Sequence, residues 1–511
     1  MKKNRFFTCS KICTLAIIGA SALFFASCAK DGFTEETFVS SVTNSTLSSP
    51  ELTKANFGTQ MNSDGSESVV VTWKVVPGAG GYAYEVYNVD DPANPVELVK
   101  GVTDSPTFTF PKAEDTRYQV KVRTLGNLEL NNTEAPEATV FAYSTMIDAK
   151  IIPNGSDIAE FIAANLTASE DEQAFELEAG GSYTCNAPVD FMDNKMTLRG
   201  DKITHPIVTF GESGIIYTSA MLKVKWINFD CTAMTSKWGV IEMSPNPPAS
   251  RSAVSQGIGA GKNNGNPADV YILPETEPIM IQDCAFKNVP NCFIAAGECA
   301  WGIGDIRILN SVIQLNCDGS KNSNASFLSA YSAGYKNPSG SDNTYNGCIK
   351  NLTIKESTIF NTVLNTKNYF IRFNNKDIDR IFPTADGTCT MMDNTISRVF
   401  SGKNWADRTP NQPKYVITYD NNIFFECFRL QKFFQANCTF AFHQEQNVGF
   451  YAEGDGTIDG TDKGKWLTEE DPGFAIDNIT KELDFTQPNY GLNFKPTGAI
   501  SSNIGDPRWR Q

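Results

Sequence analysis

Along this chain the spacing of apolar side chains passes through five regimes, and each predicts a different element. An unbroken apolar run covers Thr14 to Ala26. From Lys30 to about Pro50 the chain is rich in Ser and Thr and has no lasting period, which predicts a flexible tether. Residues 51–145 alternate apolar and polar positions in short runs broken by Gly, Pro, Asn and Asp, the pattern of a β-sandwich. Around Asp157 the period becomes helical: Asp157 and Glu160 have the spacing of a capping box, and Ile158, Phe161, Ile162 and Leu166 make one apolar stripe.

Beyond residue 170 the chain breaks into short strand-like segments of one design. Val224-Lys-Trp-Ile-Asn-Phe229 precedes Ile281-Gln-Asp-Cys-Ala-Phe286, Ile308-Leu-Asn-Ser-Val-Ile313, Ile354-Lys-Glu-Ser-Thr-Ile359, Met391-Met-Asp-Asn-Thr-Ile396 and Thr418-Tyr-Asp-Asn-Asn-Ile423. Most open on an apolar residue, carry a polar pair, and close on an apolar residue. The closing residues 286 and 313, and again 396 and 423, are 27 apart, a repeat of solenoid length. In such a coil the inward side chains stack on their counterparts above and below. The polar pair turns the backbone and can hydrogen-bond along the stack. Ser252 to Asp269 and Asp318 to Asn346 read as loops thrown out from coils, and the helix at Asp157 as a cover for an otherwise open end.

The N-terminus places Lys2, Lys3, Arg5 and Lys11 before the apolar run, which ends in Phe25-Ala26-Ser27-Cys28. The run is 13 residues long, against the roughly 20 that a helix needs to cross hydrocarbon, so it predicts a cleaved signal, residues 1–27. The segment resembles a lipobox, with Phe25 standing where a smaller aliphatic side chain is commoner. The resemblance implies lipidation of Cys28, with residues 28–50 as the lipidated tether. Lys30, Asp31, Glu35 and Glu36 resemble the acidic tag of Bacteroidetes-type lipoproteins, which implies an outer-membrane location facing the exterior.

Residues 51–145 contain Val69-Val-Val-Thr-Trp73-Lys-Val75, a Pro77-Gly-Ala-Gly-Gly81 turn, Tyr82-Ala-Tyr-Glu-Val-Tyr87 and Thr116-Arg-Tyr118-Gln-Val120. They resemble a fibronectin type III domain, with Trp73 as core tryptophan and Tyr118 as corner tyrosine. Such a module implies a spacer or a contact for protein partners, and no activity. Residues 146–511 resemble right-handed parallel β-helix proteins of the pectate-lyase-like superfamily. More narrowly, with the ending Asn503-Ile-Gly-Asp-Pro-Arg-Trp509, they resemble β-helix lipoproteins of Bacteroidetes polysaccharide-utilisation loci. The expected fold class is therefore all-β: a fibronectin-like sandwich followed by a right-handed parallel β-helix with an N-terminal capping helix.

Composition narrows the functions. The formal charge is -15, and removal of Lys2, Lys3, Arg5 and Lys11 with residues 1–27 takes it to -19, which argues against nucleic acid as a partner. Besides Cys28 the mature chain keeps ten cysteines, all between Cys185 and Cys438. Their even number admits disulfides, but their apolar surroundings favour buried free thiols. With no Cys-x-x-Cys pair and two histidines, zinc is disfavoured.

The resemblance suggests two chemistries: a Ca²⁺-dependent lyase with an Arg or Lys base, or a hydrolase with paired carboxylates. The hydrolase motifs Asn-Thr-Asp, Asp-Asp, Gly-His-Gly and Arg-Ile-Lys have no counterpart after residue 146. The lyase motif Trp-Ile-Asp-His is reduced to Trp405-Ala-Asp407-Arg408. Lys355, Arg372, Arg398 and Arg429 are candidate bases, each more simply read as a solvated outward residue. Asp455, Asp459 and Asp462 lie in a polar turn with part of a calcium-loop spacing, but Trp466 stands where the closing Glu is needed, which leaves them weak Ca²⁺ candidates. Trp301, Trp405 and Trp466 are candidate sugar-stacking residues, with burial as the commoner fate of tryptophan. Phe424, Phe425, Phe428, Phe433 and Phe434 read as core. The leading expectation is a surface lipoprotein that binds or presents polysaccharide without catalysis. A Ca²⁺-dependent polysaccharide lyase and an adhesin-like surface protein are the alternatives.

Overall fold

The structure is a computed structural model that describes residues 42–258, 270–318, 326–331, 347–363, 369–373, 381–382, 384, 386–400, 405–407, 410, 412–427, 438–442, 447–450, 468–469, 471–475, 479–499 and 501–510. It divides into two compact units, Met1–Met146 and Ile147–Gln511.

The first unit holds two antiparallel sheets. Phe57–Met61, Glu67–Thr72 and Thr107–Pro111 form one; Val96–Thr103, Tyr82–Asn88, Arg117–Thr124 and Thr139–Ser144 form the other. Alternation puts Val69 and Val71 of the first sheet against Val86, Val120 and Val122 of the second, all fully buried. Trp73 meets Tyr82 edge-on at 5.1 Å, and the Tyr118 hydroxyl accepts from the Ala113 N–H at 2.8 Å. The described end of the expected tether is not free chain. Residues 42–50 lie along residues 127–137, where Asn44 N–H donates to Leu130 O and Leu47 N–H to Thr133 O, both at 3.0 Å. Leu47 is buried, and the Asn132 amide gathers Val42 O and Ser45 N–H. One apolar side chain and one amide thus hold a segment whose composition reads as linker.

The second unit is a parallel β-helix. Its strands stack into three parallel sheets of eleven, ten and seven strands, and a complete coil contributes one strand to each, as in Leu222–Lys225, Asn228–Asp230 and Gly239–Met243. Registers link Leu198, Val224, Ile281, Ile308, Ile354 and Met391 into one inward column without exposed surface. A fully buried Leu or Ile contributes about 1.5–3 kcal/mol, so the column, and not any single strand of three or four residues, holds the fold. A second column is aromatic: Phe293, Phe327, Phe370 and Trp405 stack at successive centroid distances of 5.5, 4.9 and 4.2 Å.

The recurring polar pair makes the turn between the eleven- and ten-stranded sheets. Its first member is left-handed at Asp283, Asn310, Glu356, Asp393 and Asn421, with φ from +46° to +58°. The next residue points inward and bonds along the stack. Asn394 Nδ2 donates to Asn422 Oδ1 at 2.9 Å, Asn422 Nδ2 donates to Asn447 Oδ1 at 3.0 Å, and Ser357 and Ser311 continue the ladder toward the N-terminus.

Both the end and one flank of the column are covered. The helix Ile158–Asn165 buries Ile158 and Ile162 in the core and sets Phe161 edge-on to Phe175. Asp157 caps it by accepting from the N–H groups of Ala159 and Glu160. The described residues between 471 and 510 form a strap on the outer face of the ten-stranded sheet, where Phe494, Ile504 and Trp509 bury Val312, Phe360, Ile423 and Phe425. The strap ends in a polar clasp: Asp506 accepts from Thr358 Oγ1 at 2.7 Å while the Trp509 indole donates to the same oxygen at 2.6 Å. Gly505 has φ +84°, and a Cβ there would lie 2.7 Å from Thr395 Oγ1.

Candidate functional site

With the ten-stranded face strapped, the outward face of the seven-stranded sheet carries an open cleft lined by charged and aromatic groups. Ile215–Thr218, Gly239–Met243 and Cys292–Ala295 are neighbours there, and period-two alternation turns Ile216, Ile241 and Ile294 inward. Tyr217, Glu242 and Ala295 therefore stand outward in register, and the column continues through Ser329 and Arg372 to Asp407. A cleft of about 340 Å³ opens over its first two members, with Glu212, Lys237, Trp238 and Glu298 among its other walls.

Glu242 is the unusual group. It is 3 % exposed, and its Oε1 accepts from Gly239 N–H at 2.8 Å and from Ser236 Oγ at 3.1 Å. No described residue hydrogen-bonds to Oε2. Burial pushes its pKa up to about 7, against the pull of those two donors and with a further push from Glu298. Glu298 itself is held low, chiefly because it accepts from the Trp238 indole at 2.9 Å and from Lys237 at 3.3 Å. Tyr217 is raised to about 12, first by burial and then by Glu242. Gly297, with φ +72°, lets the chain pass Glu242: a Cβ there would sit 3.1 Å from Oε2. The cleft thus joins a carboxyl that is largely protonated below neutrality to an ionised one.

This arrangement costs stability, and the cost has a sign. A carboxyl raised from 4.5 to about 7 loses its contribution as pH rises between those values. Glu242→Gln is therefore expected to match the parent at pH 4 and to exceed it by roughly 3 kcal/mol at pH 8, from 1.36 kcal/mol per pKa unit. Urea unfolding at the two pH values measures this, and an equal difference at both would contradict it.

Two family profiles match the chain, both described as domains of unknown function: DUF4992 over residues 1–181 and DUF4957 over residues 181–328. No curated protein matches it. Among solved structures it is similar to a mutant of the PL6 family alginate lyase AlyGC, at 13% identity and a TM-score of 0.35, over 68% of this chain and 45% of that one. It therefore spans less than half the length of that lyase. It is also similar to the Family 28 exopolygalacturonase of Yersinia enterocolitica, at 10% identity, 83% and 89% coverage and a TM-score of 0.27. A third is the pectate lyase PelI of Erwinia chrysanthemi, at 10% identity, 62% and 84% coverage and a TM-score of 0.13.

Two of the expected sugar-stacking tryptophans prove to be core. Trp301 and Trp405 have no exposed surface; Trp301 donates its indole N–H to Ser244 O at 3.3 Å, and Trp405 ends the phenylalanine stack. Burying so large a ring inside the coil outweighs presenting it to solvent, and neither can offer a face to a sugar. Two of the candidate bases are also bound up. Arg398 is buried against Glu426 at 2.6 Å, and Arg372 lies 3.5 Å from Asp407 with its guanidinium 4.0 Å from the Tyr331 ring centre. Lys355 is half-buried on the eleven-stranded sheet. The ten cysteines are free thiols; burial raises Cys185, Cys284, Cys389 and Cys427 to about 12, which makes them unreactive. Cys28, Arg429, Asp455, Asp459, Asp462 and Trp466 lie outside the described residues. Among the described residues no group of three or more His, Cys, Asp or Glu side chains is placed to hold a metal ion. Glu242 was missed, although a lone carboxylate in Gly239-Val-Ile-Glu-Met243 is a readable signal.

Proposed function

We propose that this is a cell-surface lipoprotein that binds polysaccharide at the cleft over Tyr217 and Glu242. The observation that carries the reading is the cleft itself, where acceptor, donor and aromatic groups converge on a rigid, in-register strand face that repeats coil after coil. Sugar hydroxyls both donate and accept, and such a mixed set of groups satisfies them. Strands stacked about 4.8 Å apart offer a long repeating ligand a repeating surface. The N-terminal unit would be a fibronectin-like spacer, for which the buried Trp73 and the Tyr118 hydroxyl bond speak. Cys28 would carry the lipid and hold the protein on the outer membrane.

Electrophoresis of the purified protein through gels containing single polysaccharides tests the binding. At least one polymer should retard it, and Tyr217→Ala should weaken that retardation at least tenfold. Equal retardation of the variant would move the site elsewhere. Replacing Cys28 with Ser should release the protein from membranes, and a variant still wholly in the membrane fraction would refute the anchor.

A further inference from the structure

Resting on that reading, we infer that the glycan taken by this cleft is uncharged where it meets Glu242 and Glu298, a neutral polysaccharide and not a polyuronate, with Glu242 Oε2 as one of its hydrogen-bond partners. Two independent observations support it. The first is the Glu242 side chain: it is nine-tenths buried, its Oε1 is fully engaged by Ser236 and Gly239, and Oε2 lines the cleft without a bond from any described residue. At the cleft wall such an atom is open to solvent, and a ligand hydroxyl can take the place of water there. An oxygen that can be an acceptor when ionised and a donor when protonated suits a hydroxyl.

The second is the balance of charge. Glu212, Glu242 and Glu298 line the cleft, Asp190 stands in register beside Tyr217, and Lys237 is the cation among the described lining residues. That lysine is already engaged by Glu298 at 3.3 Å. Arg372 lies three strands along the column from Glu242, about 14 Å at 4.8 Å per strand, and is itself paired with Asp407. A uronate carboxylate entering here would face ionised Glu298 with no spare cation among the described lining residues to meet it, on a chain whose formal charge is -15.

The test runs the full-length protein in gels of neutral polymers (xylan, galactan, mannan, β-glucan) and of polygalacturonate and alginate, each with and without added calcium. Retardation by at least one neutral polymer, with at least tenfold weaker retardation by both polyuronates, is the expected result. Glu242→Ala, folded by circular dichroism, should weaken the neutral-polymer interaction at least tenfold. Retardation by a polyuronate equal to or stronger than by every neutral polymer, in either calcium condition, would overturn the inference while leaving polysaccharide binding standing. An unaffected Glu242→Ala would remove Glu242 from the site. Retardation by none of the polymers would defeat the binding reading as well.

Discussion

Asn422→Ala is expected to destabilise the β-helix by about 3–5 kcal/mol. The side chain is fully buried; Nδ2 donates to Met391 O at 2.9 Å and to Asn447 Oδ1 at 3.0 Å, while Oδ1 accepts from Asn394 Nδ2 and Asn394 N–H. Alanine removes four bonds among buried groups, at about 1–3 kcal/mol for each group left unsatisfied, and the backbone N–H of residue 422 still serves Asn447 Oδ1 at 3.2 Å. The neighbouring Asn421 supplies the control. It holds the left-handed turn at φ +54°, a conformation glycine adopts freely, so Asn421→Gly should change stability by less than about 1 kcal/mol. Urea midpoints of the two variants check the contrast, and equal losses would show that the ladder does not matter.

Trp509→Ala should open the strap. The ring is 4 % exposed, lies 5.7 Å from Phe494, and donates to Thr358 Oγ1, the oxygen that also donates to Asp506. Loss of a buried tryptophan costs about 3–5 kcal/mol. Here much of that should be local, because the strap packs on an already closed coil. Limited proteolysis should cut between residues 471 and 510 at tenfold lower protease. A hydrophobic dye should bind the exposed Phe360, Ile423 and Phe425 while the far-ultraviolet circular dichroism is kept. Global unfolding without a cut intermediate would mean that the strap and the coil are one cooperative unit.

The coil was legible because its turn has a chemical signature. A left-handed residue followed by an inward polar one selects Asp-Asn, Glu-Ser and Asn-Ser, and those pairs recur in the sequence at Asp393-Asn394, Glu356-Ser357 and Asn310-Ser311. Trp226 shows the limit of that signature: it takes the same left-handed turn at φ +58°, with Lys202 Nζ 5.1 Å above its ring. The capping helix was legible from its period. The strap was not, because the sequence from 471 to 510 has no period of its own, and its described residues take their place from a sheet face built by residues up to two hundred positions earlier, such as Asn310, which accepts from Arg508. The tryptophans misled because nearby Gly, Asn and Lys mark a loop without saying whether the ring turns in or out. Glu242 was hidden for a related reason: only the register with Tyr217, and a glutamate brought close from 56 residues further on, make its carboxyl distinctive.

The central claim is that ligand meets this chain on the outward face of the seven-stranded sheet. Hydrogen–deuterium exchange of the full-length protein, with and without saturating oligosaccharide from whichever polymer retards it, tests that claim most directly. Slower exchange should appear in residues 212–218, 235–243 and 297–299. Protection confined to the N-terminal unit or to the strapped face, with those three segments unchanged, would contradict it.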